Sequence, residues 1–266
     1  MTEFKGVRLI VSDIDGTLLD GDDVISGPLA AEIWRLHDHG IAFTFATGRL
    51  PHEVEGLFGN LPPRTVPYVA GNGSLIRFHD TYLQDKLFPT EPLRPILEKY
   101  AALGVTVIFN VGIQERPLLL TDWARSQADR FPGMDSPVSE DIWKKKVRRI
   151  HIFHPQGDHM AECMKELQSL GQTWYTFSYQ NRCGIQVAAA GSTKETGVRK
   201  LSMLCGIPRS AIMCIGDSFS DISMVKYAGI GVAVNNACEP LKQAADYVSP
   251  CVCGLGVLDT LKRVTA

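Results

Sequence analysis

Asp13 and Asp15 stand two residues apart at the end of an apolar run, in the string VRLIVSDIDGTLL of residues 7–19. Two acids at the end of such a run are placed for chemistry. Side chains two apart on an extended backbone point the same way, so both acids are expected to serve one site. Gly16 then lets the chain turn sharply. The same form recurs along the chain. Ile41–Ala46 stops at Thr47, Gly48 and Arg49, Ala211–Ile215 at Asp217 and Asp221, and Ile230–Val234 at Asn235 and Asn236. Lys194 lies in the first turn of a predicted helix, where the helix N-terminus already favours anions and an ammonium adds a full charge.

Four carboxylates gathered together would repel one another and repel a phosphate dianion. A hard divalent cation resolves both conflicts, and an all-oxygen ligand set favours Mg²⁺ over softer metals. The Thr47 hydroxyl and the Lys194 ammonium suit phosphoryl oxygens. Acids, cation, hydroxyl and lysine together describe phosphoryl transfer.

These groups need elements that bring them to one place. The runs at 7–11, 41–46, 211–215 and 230–234 are short, apolar and rich in β-branched residues, as strands buried on both faces are. Helices are predicted between them, over about 28–39 (Ser26 as cap, Pro28 in the first turn, Gly40 at the stop), from Pro51 towards Phe58, and from Lys194 with a capping box Ser192–Glu195. VPYVAGNGS gives a short third strand. Helices at 239–245 and 254–264 and a strand at 246–249 follow. Strand–helix alternation predicts an α/β doubly wound, Rossmann-like parallel sheet, whose ligands bind beyond the carboxyl ends of the strands. Residues 82–188 break the alternation. Helices at 91–103, 121–131 and 159–170 and strands at 105–109, 117–120, 147–153, 174–179 and 184–188 predict an inserted α+β domain. The core is then 1–81 with 189–266.

Composition narrows the classes. With 266 residues, 45% hydrophobic and 21% charged, the chain is long enough for two domains and an ordinary core. A formal net charge of −2 argues against a nucleic-acid binder. No run approaches the ~20 apolar residues that span a bilayer. MTEFKGV carries no export signal, so a cytoplasmic protein is expected. The seven cysteines are scattered and odd in number, which reads as core side chains in a reducing compartment rather than a disulfide framework. Neither Cys251-x-Cys253 nor His151-x-x-His154 has the company of a metal site. The basic run Lys144, Lys145, Lys146, Arg148 and Arg149 reads as a solvated face.

DIDGT, ATGR, Lys194 and GDSFSD resemble, in order, the four motifs of the haloacid dehalogenase superfamily of phosphatases. The Gly71–Asn72–Gly73 turn, GVAVNNA and the position of the insert resemble its Cof-type hydrolases, in which a cap is inserted between the second and third motifs. The resemblance implies that Asp13 is the nucleophile and forms an aspartyl-phosphate, with Asp15 as acid and then base. It implies that Thr47, Gly48, Lys194 and Asn236 lie on the substrate phosphate, and that Mg²⁺ is held by Asp13, Asp217 and the Asp15 carbonyl with Asp221 in support. The chain departs from the family at Ser220, where Asn is usual. The expected activity is hydrolysis of small phosphorylated metabolites, sugar phosphates first. The alternatives are a phosphomutase or phosphotransferase using the same intermediate, and a non-catalytic sensor of a phosphorylated ligand.

Overall fold

A computed structural model describes residues 3–19, 21, 24–129, 131–170, 174–178 and 183–265. The chain falls into two compact units, Met1–Asp85 with Thr193–Ala266, and Lys86–Ser192. From the N-terminus run β1 (Leu9–Ser12), α1 (Gly27–Asp38), β2 (Ala42–Phe45), α2 (Pro51–Val54), β3 (Tyr68–Ala70), β4 (Leu75–Phe78) and β5 (Thr81–Asp85). The insert contains β6 (Phe88–Pro89), α3 (Arg94–Ala102), β7 (Thr106–Val111), β8 (Gln114–Pro117), α4 (Asp122–Ser126), β9 (Lys146–Val147), β10 (Arg149–Phe153), α5 (Met160–Ser169), β11 (Trp174–Ser178) and β12 (Gly184–Ala189). The first unit resumes with α6 (Lys194–Cys205), β13 (Ile212–Gly216), α7 (Ile222–Tyr227), β14 (Ile230–Ala233), α8 (Glu239–Ala244), β15 (Tyr247–Val248) and α9 (Cys253–Leu261).

The first unit is built on a five-stranded sheet in the order β15-β14-β13-β1-β2, parallel throughout. Its central strands are buried on both faces, as their unbroken apolar sequence requires. The apolar face of α1 (Leu29, Ile33, Leu36) joins the same core. Connections run from β1 one way to β2 and the other way through β13, β14 and β15. The order therefore reverses between β1 and β13, and a crevice opens beyond the strand ends at such a point. Asp13 and Asp217 flank it.

The third predicted strand has a different setting. β3 touches the parallel sheet through one bridge, Ala46–Val69, and heads a three-stranded antiparallel sheet with β4 and β5. The chain turns through Gly71–Asn72–Gly73 into β4, and again at His79–Asp80 into β5. β5 is thus part of the first unit, and the second begins at Lys86 rather than 82 and ends at Ser192 rather than 188.

The insert is α+β, with a sheet in the order β11-β12-β10-β7-β8, all antiparallel, against which α3 and α5 bury a separate core. The return strand expected at 117–120 starts earlier, at Gln114, because Gly112 (φ 68) turns the chain immediately after β7. The helix expected over 121–131 is shorter, capped by Thr121 and ending at Ser126. Arg130 within it, Tyr179 at the end of the strand expected over 174–179, and 20, 22 and 23 of the N-terminal loop lie outside the described residues. Among the basic run, Arg149 is not solvated: it is buried and its Nη2 lies 2.6 Å from Glu115 Oε1. Of the seven cysteines, Cys163 and Cys214 are buried and the other five are half-buried. Among the described residues, no helix is long and apolar enough to cross a membrane.

Helix α6 approaches β3 closely at Gly197, where a Cβ would lie 2.4 Å from Val69 Cγ1 and 2.9 Å from Cγ2. Alanine there would gain up to about 1 kcal/mol of helix propensity. Overpacking against a stiff β-branched side chain costs roughly 1–3 kcal/mol, so the clash wins. Gly197→Ala is expected to lower stability by about 1–2 kcal/mol in denaturant melts, and adding Val69→Ala should recover most of the clash component. A stabilised Gly197→Ala protein would contradict the close approach.

Candidate active site

Asp13 follows β1 directly, its N–H donating to the Ile215 carbonyl of β13 at 2.9 Å. Asp217 follows β13, and Asp221 ends the short turn between β13 and α7. The three carboxylates are buried, at 4%, 9% and 0% exposure, and each offers an oxygen within 4.8 Å of the others. Lys194, at the first position of α6, reaches between them: its Nζ lies 2.6 Å from Asp13 Oδ1 and 2.6 Å from Asp221 Oδ1. One ammonium does not neutralise three carboxylates. Burial, followed by the Asp221 charge, pushes Asp13 well above the usual carboxylate range against the pull of Lys194. Burial and Asp221 likewise raise Asp217. Burial alone would depress Lys194, but Asp13 and Asp221 outweigh it and hold the ammonium charged.

Each acid is fixed by donors. Thr17 Oγ1 donates to Asp217 Oδ1 at 2.9 Å. Asp221 Oδ2 accepts from the Ser218 N–H (2.9 Å), the Ser218 hydroxyl (2.8 Å) and the Asp217 N–H (3.2 Å). Neither Thr17 nor Ser218 was expected at the site, although Ser218-x-x-Asp221 has the form of a capping box, which it makes. Gly16, at φ 78, turns the chain between Asp15 and Thr17, and a Cβ on it would fall 2.6 Å from Asp217 Oδ2. Only glycine satisfies both the turn and that approach.

Asp15 departs from the sequence expectation. Its carboxylate is not one of the three clustered acids; it is more than half exposed and pairs with Arg49, whose Nη2 lies 2.6 Å from Oδ1 and whose Nε lies 3.0 Å from Oδ2. β1 ends at Ser12, and Ile14 begins a turn in which its carbonyl accepts from Leu18 and Leu19. The two-residue alternation therefore stops before it reaches Asp15.

Thr47 is fully buried just beyond β2, beside the end of β1. Its N–H donates to Val69, its carbonyl accepts from Asn72, and its Oγ1 accepts from the Arg49 N–H at 3.1 Å. Gly48 lies against Asn72: a Cβ there would sit 3.0 Å from Asn72 Nδ2. Asn236 is exposed, with both ends of its amide engaged. Nδ2 donates to the Gly16 carbonyl at 2.7 Å, and Oδ1 accepts from the Cys253 N–H at 2.8 Å. The amide thus ties the turn after Asp15 to the start of α9. Ser220 shares a 2.9 Å hydrogen bond with the Ser218 hydroxyl. The capping box of α6 is Thr193–Thr196 rather than Ser192–Glu195. Ser192 closes the preceding turn through its N–H to Ala189, and its buried hydroxyl has no hydrogen-bond partner among the described residues.

A buried cluster of hard oxygen ligands in negative excess, beside an ammonium and a buried hydroxyl, suits a divalent cation together with a phosphoryl group. The profile of the haloacid dehalogenase-like hydrolases matches residues 10–261. The chain is 27% identical to 5-amino-6-(5-phospho-D-ribitylamino)uracil phosphatase YwtE of Bacillus subtilis, covering 91% of this chain and 93% of that protein. It is 27% identical to a phosphoglycolate phosphatase of Methanothrix thermoacetophila, covering 98% of each. Its fold is similar to the solved structure of BT1666, a haloalkanoate-superfamily phosphatase from Bacteroides thetaiotaomicron, with a TM-score of 0.80 and 23% identity over 96% of this chain and 94% of that one. The motifs, the sheet that carries them and the match along nearly the whole sequence agree, and the chain belongs to the haloacid dehalogenase-like hydrolase family.

Proposed function

We propose that this protein is a Mg²⁺-dependent phosphatase of small phosphorylated metabolites, sugar and polyol phosphates foremost, working through an aspartyl-phosphate on Asp13. The observation that carries the reading is the pair of 2.6 Å contacts from Lys194 to Asp13 and Asp221 within a buried acid cluster. The name of the Bacillus relative, a phosphatase of a phosphorylated ribityl compound, supports a polyhydroxylated substrate.

Asp13 and Asp217 would hold the cation with the Asp15 carbonyl, Asp221 supporting. The donor set fits Mg²⁺: hard oxygens, close together, carrying more negative charge than Lys194 removes. When bound, the cation would supply electrostatic stabilisation of the phosphoryl oxygens. The remaining work falls to side chains. Lys194 engages Asp13 Oδ1, which leaves Oδ2 to attack phosphorus. As the phosphorus–oxygen bond to the alcohol breaks, Asp15 gives its proton to the departing alkoxide. Asp15 then takes a proton from water as the water attacks the aspartyl-phosphate, and Asp13 is regenerated. Arg49 orients the Asp15 carboxylate. The Thr47 hydroxyl, the Gly48 backbone and the Lys194 ammonium bind the phosphoryl oxygens. Asn236 acts from behind, by holding the Gly16 turn. Choice of substrate belongs to the insert, which carries none of these groups.

Phosphate release from a panel of sugar, polyol and aryl phosphates tests the reading. Turnover should disappear with a chelator and return with Mg²⁺; full turnover in metal-free buffer would refute the cation's role. With an activated aryl ester, Asp15→Asn should accumulate phosphate on the protein by intact mass, whereas Asp13→Asn should carry none. Label on both variants would remove Asp13 as nucleophile. Lys194→Met leaves the carboxylates uncompensated, and breaking a buried pair costs about 3–5 kcal/mol. The sign of its pH dependence follows from the raised Asp13 and Asp217. Their unfolded values are near ~3.9, so the folded protein binds more protons above that pH and loses stability as pH rises. Without Lys194 these acids rise further. In chelator, the melting temperature of Lys194→Met should therefore fall more steeply than that of wild type between about pH 5 and 8; parallel curves would show that Lys194 does not compensate the acids.

A further inference from the structure

Gly71–Asn72–Gly73 follows β3 and turns the chain into β4. On one side this turn is tied to the loop after β2. The Asn72 N–H donates to the Thr47 carbonyl and the Gly71 N–H to the Arg49 carbonyl, both at 2.8 Å. The Asn72 amide packs on Gly48, where a Cβ would lie 3.0 Å from Nδ2 and 3.5 Å from Oδ1. On the other side the turn meets the start of α6. A Cβ on Gly73 would fall 2.0 Å from the carbonyl oxygen of Thr193, the cap residue whose carbonyl accepts from the Gly197 N–H. Lys194 is the next residue. Ser74 Oγ and Gln84 Nε2 hold the turn itself, donating to the Gly71 and Gly73 carbonyls at 2.9 Å each.

The middle residue of the turn is the unusual one. Asn72 holds φ 52 and ψ 39, a left-handed conformation that glycine adopts freely and a Cβ opposes. Asparagine tolerates it better than most residues, yet glycine would be easier still, and both neighbours are glycine. Among the described residues other than glycine, His79, His159 and Cys253 also have positive φ, and none of these is buried, whereas Asn72 is 5% exposed. A side chain thus stands here against the preference of the backbone, and it touches Gly48 rather than solvent. Thr47 and Gly48 are the groups set on the phosphoryl oxygens in the phosphatase reading, and Lys194 is their counterpart on α6. Contacts of one turn fix the spacing between them. We propose that Asn72 is a positioning residue: its amide holds the Thr47–Gly48 peptide at the distance from Lys194 that the phosphoryl group needs in the transition state. This rests on the phosphatase reading and adds to it a residue that acts through Gly48.

The test uses the full chain and Asn72→Gly, which keeps the N–H and suits the left-handed backbone but removes the amide. Were Asn72 only a turn residue, this change would be silent. Hydrogen exchange read by mass spectrometry should be about tenfold faster or more over residues 46–50 in the variant, with β13 and the insert unchanged. With para-nitrophenyl phosphate and Mg²⁺, kcat should fall by about ten- to a hundredfold and KM stay within about threefold, since misplacing a positioned group by about 1 Å costs on the order of a hundredfold. Inhibition by orthovanadate, which takes the five-coordinate geometry of phosphoryl transfer, should weaken by a similar factor, while inhibition by inorganic phosphate stays within about threefold. Exchange and kcat as in wild type would overturn the proposal. So would faster exchange with unchanged kcat, a loss of kcat without faster exchange, or an equal weakening of vanadate and phosphate. Should Asn72→Gly fail to fold by circular dichroism, Asn72→Ala, which restricts the backbone, carries the same comparison. A wild-type protein that turns over no phosphate ester, in which Asn72→Gly still loosens residues 46–50, would overturn the phosphatase reading and uphold the fixing of the loop by Asn72.

Discussion

The structure depends on keeping negative charge buried at the ends of parallel strands. Asp13, Asp217 and Asp221 could not share a dry crevice on their own; mutual repulsion and lost hydration would neutralise or expel them. Lys194 is the counterweight, and its position explains much of the first unit. It must start α6, so the helix is capped by Thr193 and pressed onto β3 through Gly197. Asp221 must face it, so Ser218 and two backbone amides hold the other oxygen. The compensation is incomplete: one ammonium stands against three carboxylates.

The parts of this arrangement that depend on local pattern are legible in the sequence. β1, β2, β13 and β14 are continuous apolar runs that stop at polar groups, and a strand buried on both faces has no other simple form. The acids at their ends inherit their place from the strands. What escaped depends on partners distant in sequence or on the exact residue at which an element ends. Asp15 turns away because β1 stops at Ser12, before alternation can carry its side chain beside Asp13. The β4–β5 hairpin is short, and its second strand is mostly exposed, so it has little apolar signature. Arg149 belongs to a basic run, and its burial goes with a partner on another strand, Glu115, that the run itself does not reveal. The capping box moved by one residue because Ser192 is spent on the turn before it.

The two units solve burial in different ways. The first surrounds a parallel sheet with helices and leaves its polar groups at the strand ends. The second covers one face of an antiparallel sheet with α3 and α5, adding an edge-to-face contact between Phe109 and Trp143 at 5.6 Å, and sets polar side chains beside a smaller apolar cluster of Ile108, Ala124 and Met134 on the other.

The central strand pair has a consequence for how the chain is made. Leu9 lies beside Ala42 on one side and beside Ile212 on the other, and Thr17 reaches Asp217 across 200 positions of sequence. During synthesis β1 and β2 leave the ribosome long before β13 exists, and one edge of β1 then has no native partner. The insert draws its core from residues 88–189 and can collapse while that edge still waits. The loop-closure entropy of joining β1 to β13 is governed by the free chain between them. A folded insert takes residues 86–192 out of that free chain, so the segment that splits the first unit in sequence also shortens the loop its halves must close.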